Sequence, residues 1–567
     1  MGGGGAAGGD FDAVLAAQNN QGWRGLFKNG KVVFLTVFAS LGGVLYGYNQ
    51  GVFGQVQVME SFTHRYPDLL ENLDNGEPNP NFRGSQALAL LTAILELGAF
   101  VGSLMAGPLA DMLSRKYSIS LWCVIFMLGT SVQTGANSNV GCIYAGRFIG
   151  GLGIGALSML VPMYNAELAP PGIRGSLVAL QQLAITFGIL ISYWIAYGTN
   201  YIGGTTYPGQ SDAAWRVPLG IQLVPALVLC IGVYWLPFSP RWLMLRGREE
   251  ECLETLAYLR SHRAEDPSVQ YEFRALQAER LVEREAAKER YGMDEVTFRV
   301  SLLEYKRLFT TKPLLHRLML GAAAQGLQQW TGINAIIYYA PRIFEQIGLT
   351  GSTIPILATG IVGVVNFVFT IPAVLFVDNF GRKPMLALGE ANMAVSHATI
   401  AAILAVYGNS FDTHKSAGNG AVFMVYWYIA WFAVTWGPLA WVVSAEVFPL
   451  DMRAKGMSIS SAVNWIMNFT VAEVTPIMIT NIGYKTYIVF MCFCIVGFIY
   501  AVFILPELKG LSLEEVDAIF NDRSGAEDRA RRERVAKQIG LDKVEQDVRR
   551  ETAGGPEKAN GAAPSAA

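Results

Sequence analysis

A group of amide side chains stands inside an otherwise apolar run between residues 318 and 340. Gln328 and Gln329 are adjacent, and Asn334 follows after Gly332. Amides both donate and accept hydrogen bonds, as the hydroxyls of a sugar do. An unpaired amide is costly in lipid, so these side chains should face the protein interior or a water-filled cavity.

An unbroken helix would not bring these three amides onto one face, because they are five and six residues apart. Gly332 can loosen the helix between them, so we predict that they converge on one polar solute. The alternative is that Gln328 and Gln329 only link neighbouring helices, as polar residues in membrane bundles commonly do.

The composition excludes several classes of protein. Of the 567 residues, 52% are hydrophobic and 16% charged, which indicates a polytopic membrane protein. A net charge of -2 without a basic arm argues against a nucleic-acid partner. The six cysteines form no disulfide or metal-binding pattern. The sequence also has no catalytic constellation, so we expect neither an enzyme nor a cofactor or metal.

Twelve apolar stretches are long enough to cross a bilayer as helices, which predicts an all-α membrane protein. They lie near residues 32–54, 85–110, 117–136, 142–168, 176–199, 214–237, 316–343, 352–378, 384–407, 420–447, 456–480 and 484–505.

The stretches divide the chain into five parts. We predict a flexible N-terminus (1–30), a six-helix bundle (31–237), a helical linker (238–312), a second six-helix bundle (313–506) and a partly disordered tail (507–567). Lys and Arg are concentrated in the linker and in alternate loops on its side of the membrane. By the positive-inside rule the linker and both termini are cytoplasmic.

The two halves repeat each other. Asp111 with Arg115 follows the second stretch, and Asp378 with Arg382 follows the eighth. Glu167 precedes Arg174 by the same step that separates Glu446 from Arg453. A parallel repeat of six plus six helices is typical of transporters that rock two bundles around a central site.

These features resemble the sugar porter branch of the major facilitator superfamily over roughly residues 30–520. The most specific motifs are Gly146-Arg147-Phe-Ile-Gly150, Pro162-Met-Tyr164-Asn-Ala-Glu167, the Gln328–Tyr339 stretch and Pro506-Glu507-Leu-Lys509-Gly510. The resemblance implies a monosaccharide cargo, a hexose such as glucose, carried by alternating access without covalent chemistry. It also implies a protein that works as a single chain in the lipid bilayer of the plasma membrane.

The resemblance also assigns a sugar site. The matching positions are Tyr46, Gln182, Gln328, Gln329, Asn334, Asn366, Gly437, Trp441 and Asn464. Aromatic faces suit the C–H faces of a sugar and fixed amides suit its hydroxyls, whereas an anion would call for Arg or Lys. We therefore expect uncharged groups from both bundles to meet in a wet chamber midway through the membrane. For Trp441 and Tyr46, packing in the core remains the alternative.

The charged residues of the repeat resemble the cytoplasmic gate of such transporters, whose ion pairs hold the outward-facing state together. The candidates are Asp111, Arg115, Glu167, Arg174, Asp378, Arg382, Glu446 and Arg453.

Coupling to protons depends on Asn49 and Arg147. Proton-coupled relatives have Asp where this chain has Asn49, with Arg147 nearby. Asn cannot titrate, so we favour facilitated diffusion. Two alternatives remain: a proton-coupled symporter that uses another acid such as Glu96, and a sugar sensor built on a transporter body.

Overall fold

The computed structural model describes residues 30–69, 85–170, 174–293, 298–349, 351, 353–376, 380–408, 410–411, 413–449, 452–509, 519–520 and 523–541. Within these residues the secondary structure is helical, and twelve membrane-length segments follow one another in the predicted order.

Six segments precede the linker. Their helices are Gly30–Ala39 with Leu41–Val56, Ser85–Leu113, Arg115–Thr134, Val140–Leu168, Arg174–Thr199, and Ala213–Ile221 with Leu223–Gly232. A short helix, Glu60–Arg65, follows the first segment.

Six further segments follow the linker. Their helices are Lys312–Trp330 with Ile333–Gln346, Ile354–Phe376, Arg382–Tyr407, Lys415–Val434 with Trp436–Glu446, Arg453–Ile482, and Lys485–Ile499 with a π turn at Tyr500–Ile504.

Eleven of the twelve segments are apolar enough to be recognised as membrane spans from the described residues alone. The exception is the seventh, whose two helices carry the amide group. It breaks at Gly332, whose φ of +96° lies in the left-handed region that favours glycine. The predicted loosening of this segment is therefore a sharp break between two helices.

Four helices form the linker: Pro240–Leu245, Glu249–Arg260, Pro267–Tyr291 and Phe298–Thr310. The third has a well-defined start and end. Its N-cap, Asp266, accepts a hydrogen bond from the backbone N–H of Ser268, and Gly292 terminates it at a φ of +66°. A helix of the tail, Arg523–Gln538, packs against the same linker helix. The sequence predicts disorder beyond about Lys537; the structure describes the tail helix and its end up to residue 541, and residues 542–567 and the N-terminal residues 1–29 lie outside the described part of the chain.

The two bundles meet along two pairs of segments, the second with the eleventh and the fifth with the eighth. We call the membrane side that carries the linker the linker side, and the opposite side the far side. On the far side the bundles touch backbone to backbone: a Cβ on Gly54 would lie 2.3 Å from the carbonyl oxygen of Tyr338.

Candidate functional site

Gln328 lies at the centre of a chain of amides in the second bundle. Its Nε2 donates to the carbonyl oxygens of Trp436 and Gly437 at 2.8 and 3.0 Å. Its Oε1 accepts from Asn464 Nδ2 at 2.8 Å, and Asn464 also donates to Gln325 Oε1 at 2.7 Å. Both hydrogen-bonding ends of the Gln328 amide are thus occupied by protein atoms, as in the helix-linking alternative.

The amide chain continues across the break in the seventh segment. Gln329 Nε2 donates to Gln328 Oε1 at 3.5 Å, and Asn334 Nδ2 donates to Gln329 Oε1. The structure therefore brings together four of the residues that the sequence assigns to the sugar site, from both sides of Gly332. All four are less than 5% exposed.

Gln182 reaches this group from the first bundle. Its Nε2 lies 3.5 Å from the position that a Cβ on Gly437 would take, beside the carbonyl bonded by Gln328. Asn366 is buried on the eighth segment, and Trp441 is half-buried one turn beyond Gly437. The Gln182 amide of the first bundle thus lies beside Gly437 of the second bundle, whose carbonyl accepts from Gln328. The wet chamber stays a prediction, since these contacts do not describe an enclosed space.

Tyr46 packs against the other bundle. Its ring centroid lies 5.0 Å from that of Trp465, and Trp465 Nε1 donates to Ser158 Oγ at 3.3 Å. Trp465, which follows Asn464, thus connects the first, fourth and eleventh segments. This geometry is the packing role that the sequence left open for Tyr46.

A second polar cluster crosses between the bundles closer to the far side. Tyr338 OH donates to Glu96 Oε1 at 2.7 Å, and Asn468 Nδ2 donates to Glu96 Oε2 at 3.1 Å. Gln50 Nε2 donates to Tyr338 OH at 3.2 Å. We call Gln50, Glu96, Tyr338 and Asn468 the far-side cluster.

The backbone also joins the bundles near the far-side cluster. Gln57 Nε2 donates to the Tyr338 carbonyl at 3.2 Å, and Tyr193 OH donates to the Ile337 carbonyl at 2.8 Å. Together with the close approach at Gly54, these bonds join the two bundles on the far side.

Asn49 and Arg147 have different partners. Asn49 Nδ2 donates to Gln222 Oε1 at 2.8 Å. Arg147 lies 4.0 Å over the ring of Phe53 and interacts electrostatically with Glu96. The acid that faces this arginine is therefore on the second segment.

On the linker side, ion pairs hold the ends of neighbouring helices. Arg115, 2% exposed, bonds Asp111 at 2.9 Å and Glu167 at 3.0 Å. Arg382 bonds both carboxylate oxygens of Glu446, at 2.8 and 3.1 Å. Each of these described pairs joins residues of one bundle.

The remaining gate candidates are only partly described. Arg453 begins the eleventh segment, and its Nη2 lies 3.5 Å from the carbonyl oxygen of Phe448. Asp378 and the side chain of Arg174 lie outside the described residues.

Sequence reasoning missed several members of these clusters. Gln325 and Asn468 are polar residues inside apolar helices, and that was the available signal. Asn468 matches a glycosylation motif only formally, since it is buried in the eleventh segment. Of two adjacent glutamines, the sequence analysis assigns Gln182 and not Gln181 to the sugar site. Gln181 is 6% exposed, packs against Gly43, and its amide has no hydrogen-bond partner among the described residues.

Comparison with known proteins agrees with this architecture. Residues 35–520 match the family model described as "Sugar (and other) transporter". A quinate permease of Emericella nidulans is 32% identical over 87% of this chain and 89% of its own length. The high-affinity glucose transporter of Kluyveromyces lactis is 33% identical, with 85% and 84% covered. The hexose transporter HXT13 of Saccharomyces cerevisiae is 34% identical, with 87% and 84% covered.

Solved structures give the same result. The proton:xylose symporter XylE bound to 6-bromo-6-deoxy-D-glucose matches with a TM-score of 0.69 and 29% identity, covering 87% of this chain and all of XylE. An inward-open structure of XylE from E. coli matches with a TM-score of 0.66 and 28% identity, covering 86% and 99%. The predicted fold is confirmed. The chain belongs to the sugar porter family of the major facilitator superfamily, and it is a multi-pass membrane transporter of sugars and not an enzyme.

Proposed function

We propose that this protein carries a hexose such as glucose across the membrane by alternating access. The observation that supports this most is the position of the Gln182 amide beside Gly437, whose carbonyl accepts from Gln328, at the interface of the two bundles. Fixed amides can replace the water around sugar hydroxyls without introducing charge. Asn334, Asn366 and Trp441 complete the proposed site.

The relatives include quinate permeases, and quinate carries a carboxylate that a charged group would bind best. Arg147, an interior cation, is 2% exposed and already faces Phe53 and Glu96. The amides at the proposed site are uncharged. A neutral hexose therefore suits the described side chains better than quinate does.

The test is uptake of labelled glucose by proteoliposomes, with unlabelled quinate as competitor. We expect saturable uptake that excess glucose suppresses and quinate does not. Uptake of quinate but not glucose would reject the hexose, and binding without uptake would favour the sensor.

Two neighbouring glutamines provide a matched pair of variants. Gln182→Ala removes the proposed ligand and should raise KM about tenfold, the effect of one lost hydrogen bond to a neutral group. Gln181→Ala removes an amide that has no partner among the described residues, so KM should stay unchanged. Equal effects of the two variants would contradict the assignment of Gln182.

We further propose that the linker and both termini are cytoplasmic and that the protein works as a single chain in the plasma membrane. The Lys and Arg residues of the linker side support this orientation. In the same scheme the charged residues of the linker side also form the cytoplasmic gate, a network of ion pairs that holds the outward-facing state together and parts in the inward-facing state. Protease cleavage of the linker only after permeabilisation of intact cells would be the expected result.

Facilitated diffusion remains the favoured mode, because Asn49 cannot titrate and is bonded to Gln222. Proton-coupled symport is the second candidate, and one observation favours it. Glu96 is buried beside Arg147, and both of its carboxylate oxygens are bonded to the opposite bundle. Opening of the far side would break these bonds and alter the cost of carrying a charge there.

Uptake driven by an imposed pH gradient separates the two modes. Facilitated diffusion predicts no accumulation of sugar above its outside concentration. Coupling through Glu96 predicts accumulation that uncouplers abolish and that Glu96→Gln lacks. In the passive case Asn49→Asp should introduce pH dependence, and uptake unchanged between acid and neutral pH in that variant would contradict the role of position 49.

A further inference from the structure

The break in the seventh segment leaves a backbone carbonyl that needs new partners. Thr331 is the last residue before Gly332, and it is 1% exposed. In an unbroken helix its carbonyl would accept from the N–H four residues later, and a break disturbs that ladder. In a membrane, neighbouring helices must satisfy such groups.

Side chains from three other segments converge on this one oxygen. His397 Nε2 lies 2.8 Å from it, and Tyr428 OH donates to it at 2.9 Å. Cys494 Sγ lies 3.9 Å away as a weak donor. Tyr428 also bonds Thr331 Oγ1 at 3.1 Å. Because the oxygen can only accept, this contact requires the His397 tautomer with hydrogen on Nε2.

A small cavity, about the size of one water molecule, lies beside Gly332. It is lined by Ala335 and Ile336 of the outer helix, Ile333–Gln346, and by His397 and Tyr487. His397 Nδ1 and Tyr487 OH face no hydrogen-bond partner among the described residues. The start of the outer helix thus lies between this cavity and the bonded carbonyl of Thr331.

We infer that His397 and Tyr428 are positioning residues that hold the break of the seventh segment and so set the geometry of the sugar-binding amides. Gln328 and Gln329 lie just before the break and Asn334 just after it, and the Asn334–Gln329 hydrogen bond spans it. A change in the angle between the two helices moves Asn334 relative to Gln329. The amides can fit a sugar only if that angle is fixed.

This inference rests on the proposed function for its effect on sugar binding, but its structural part can be tested without a sugar. Hydrogen–deuterium exchange of the purified protein reports opening of the backbone around residues 331–338. Tyr428→Phe and His397→Leu each remove one donor to Thr331, and both should accelerate exchange in this peptide. Tyr428→Phe is the smaller change and keeps the ring.

Tyr426→Phe is the matched control. Tyr426 is on the same segment, and its OH donates to a backbone carbonyl of another segment, Ala358, at 3.2 Å. This variant should leave exchange at residues 331–338 unchanged. If Tyr426→Phe and Tyr428→Phe behave alike at this peptide, the inference is overturned.

The transport assay then separates positioning from general stability. His397→Leu should raise KM for glucose about tenfold per folded molecule, because the amides are no longer held in register. His397→Gln keeps an N–H donor and should restore most of the affinity. A lower yield of folded protein with unchanged KM would show a merely structural role. Absence of glucose uptake by the unmodified protein would reject the hexose proposal but leave the exchange result standing.

Discussion

The two sides of the molecule are held in different ways. On the far side, the far-side cluster joins the second segment to the seventh and eleventh, so its hydrogen bonds cross between the bundles. On the linker side, the described ion pairs of Arg115 and of Arg382 each join residues of one bundle. Bonds that cross must break when that side opens, whereas bonds within a bundle can persist through the cycle. The first kind therefore biases the conformational equilibrium, and the second stabilises each rocking body.

The largest expected effect tests the stabilising role of the linker side. Arg115→Met leaves the buried Glu167 without its partner, which should cost about 3–5 kcal/mol of folding free energy. Thermal unfolding in detergent measures this loss. Arg248→Met is the control, since the Arg248–Glu251 pair is exposed and worth at most about 1 kcal/mol. A loss for Arg115→Met no larger than for the control would remove the distinction.

The next effect tests the biasing role of the far side with two buried tyrosines. Tyr338→Phe removes a hydroxyl that crosses to Glu96, whereas Tyr500→Phe removes one that bonds the Leu320 carbonyl within its own bundle at 2.9 Å. A hydrogen bond to a charged group is worth about 1.5–3 kcal/mol, so Tyr338→Phe should shift the equilibrium towards far-side opening by at least about tenfold.

Distances between spin labels at positions 201 and 414, in far-side loops of the two bundles, would report this shift. Tyr500→Phe should lower stability without widening the distance distribution. Identical distributions in the two variants would show that crossing bonds carry no special weight.

The smallest effect concerns the loss of stability of the linker side at acid pH. Burial raises the pKa of Glu507, but hydrogen bonds from the backbone N–H groups of Lys509, Arg382, Lys383 and Leu508 outweigh it, so the pKa lies below the ordinary 4.5. A lowered folded pKa contributes stability that is present above pH 4.5 and is lost as the pH falls through the folded value. Glu507→Gln should lack this part of the acid-induced loss. The measurement is the free energy of unfolding of both proteins as a function of pH. Equal losses in the two proteins as the pH falls would contradict this role of Glu507.

The sequence predicted the fold well, because a bilayer demands long apolar helices and so leaves a strong signal. The break at Gly332 was also predictable, since glycine tolerates positive φ. The sequence also indicated Gln328, Gln329, Asn334 and Asn464, which form one hydrogen-bonded chain; their role in binding a sugar stays a prediction.

The partners of those residues were not predictable. Glu96 and Asn468 are 372 positions apart, and no local pattern indicates that their side chains meet. The convergence on Thr331 was equally hidden, since one backbone oxygen draws donors from the ninth, tenth and twelfth segments. Such contacts depend on the rotation and the separation of the packed helices, and the hydropathy of the sequence does not determine either of these.

The close approach of Gly54 to the Tyr338 carbonyl has a consequence for the ion gradients across the membrane. Where two peptide backbones are this close without an intervening side chain, no water molecule fits between them at that point. A carrier that cycles repeatedly in a membrane with an electrical potential must not let ions leak through it. At this position the two backbones themselves block the passage of water and ions.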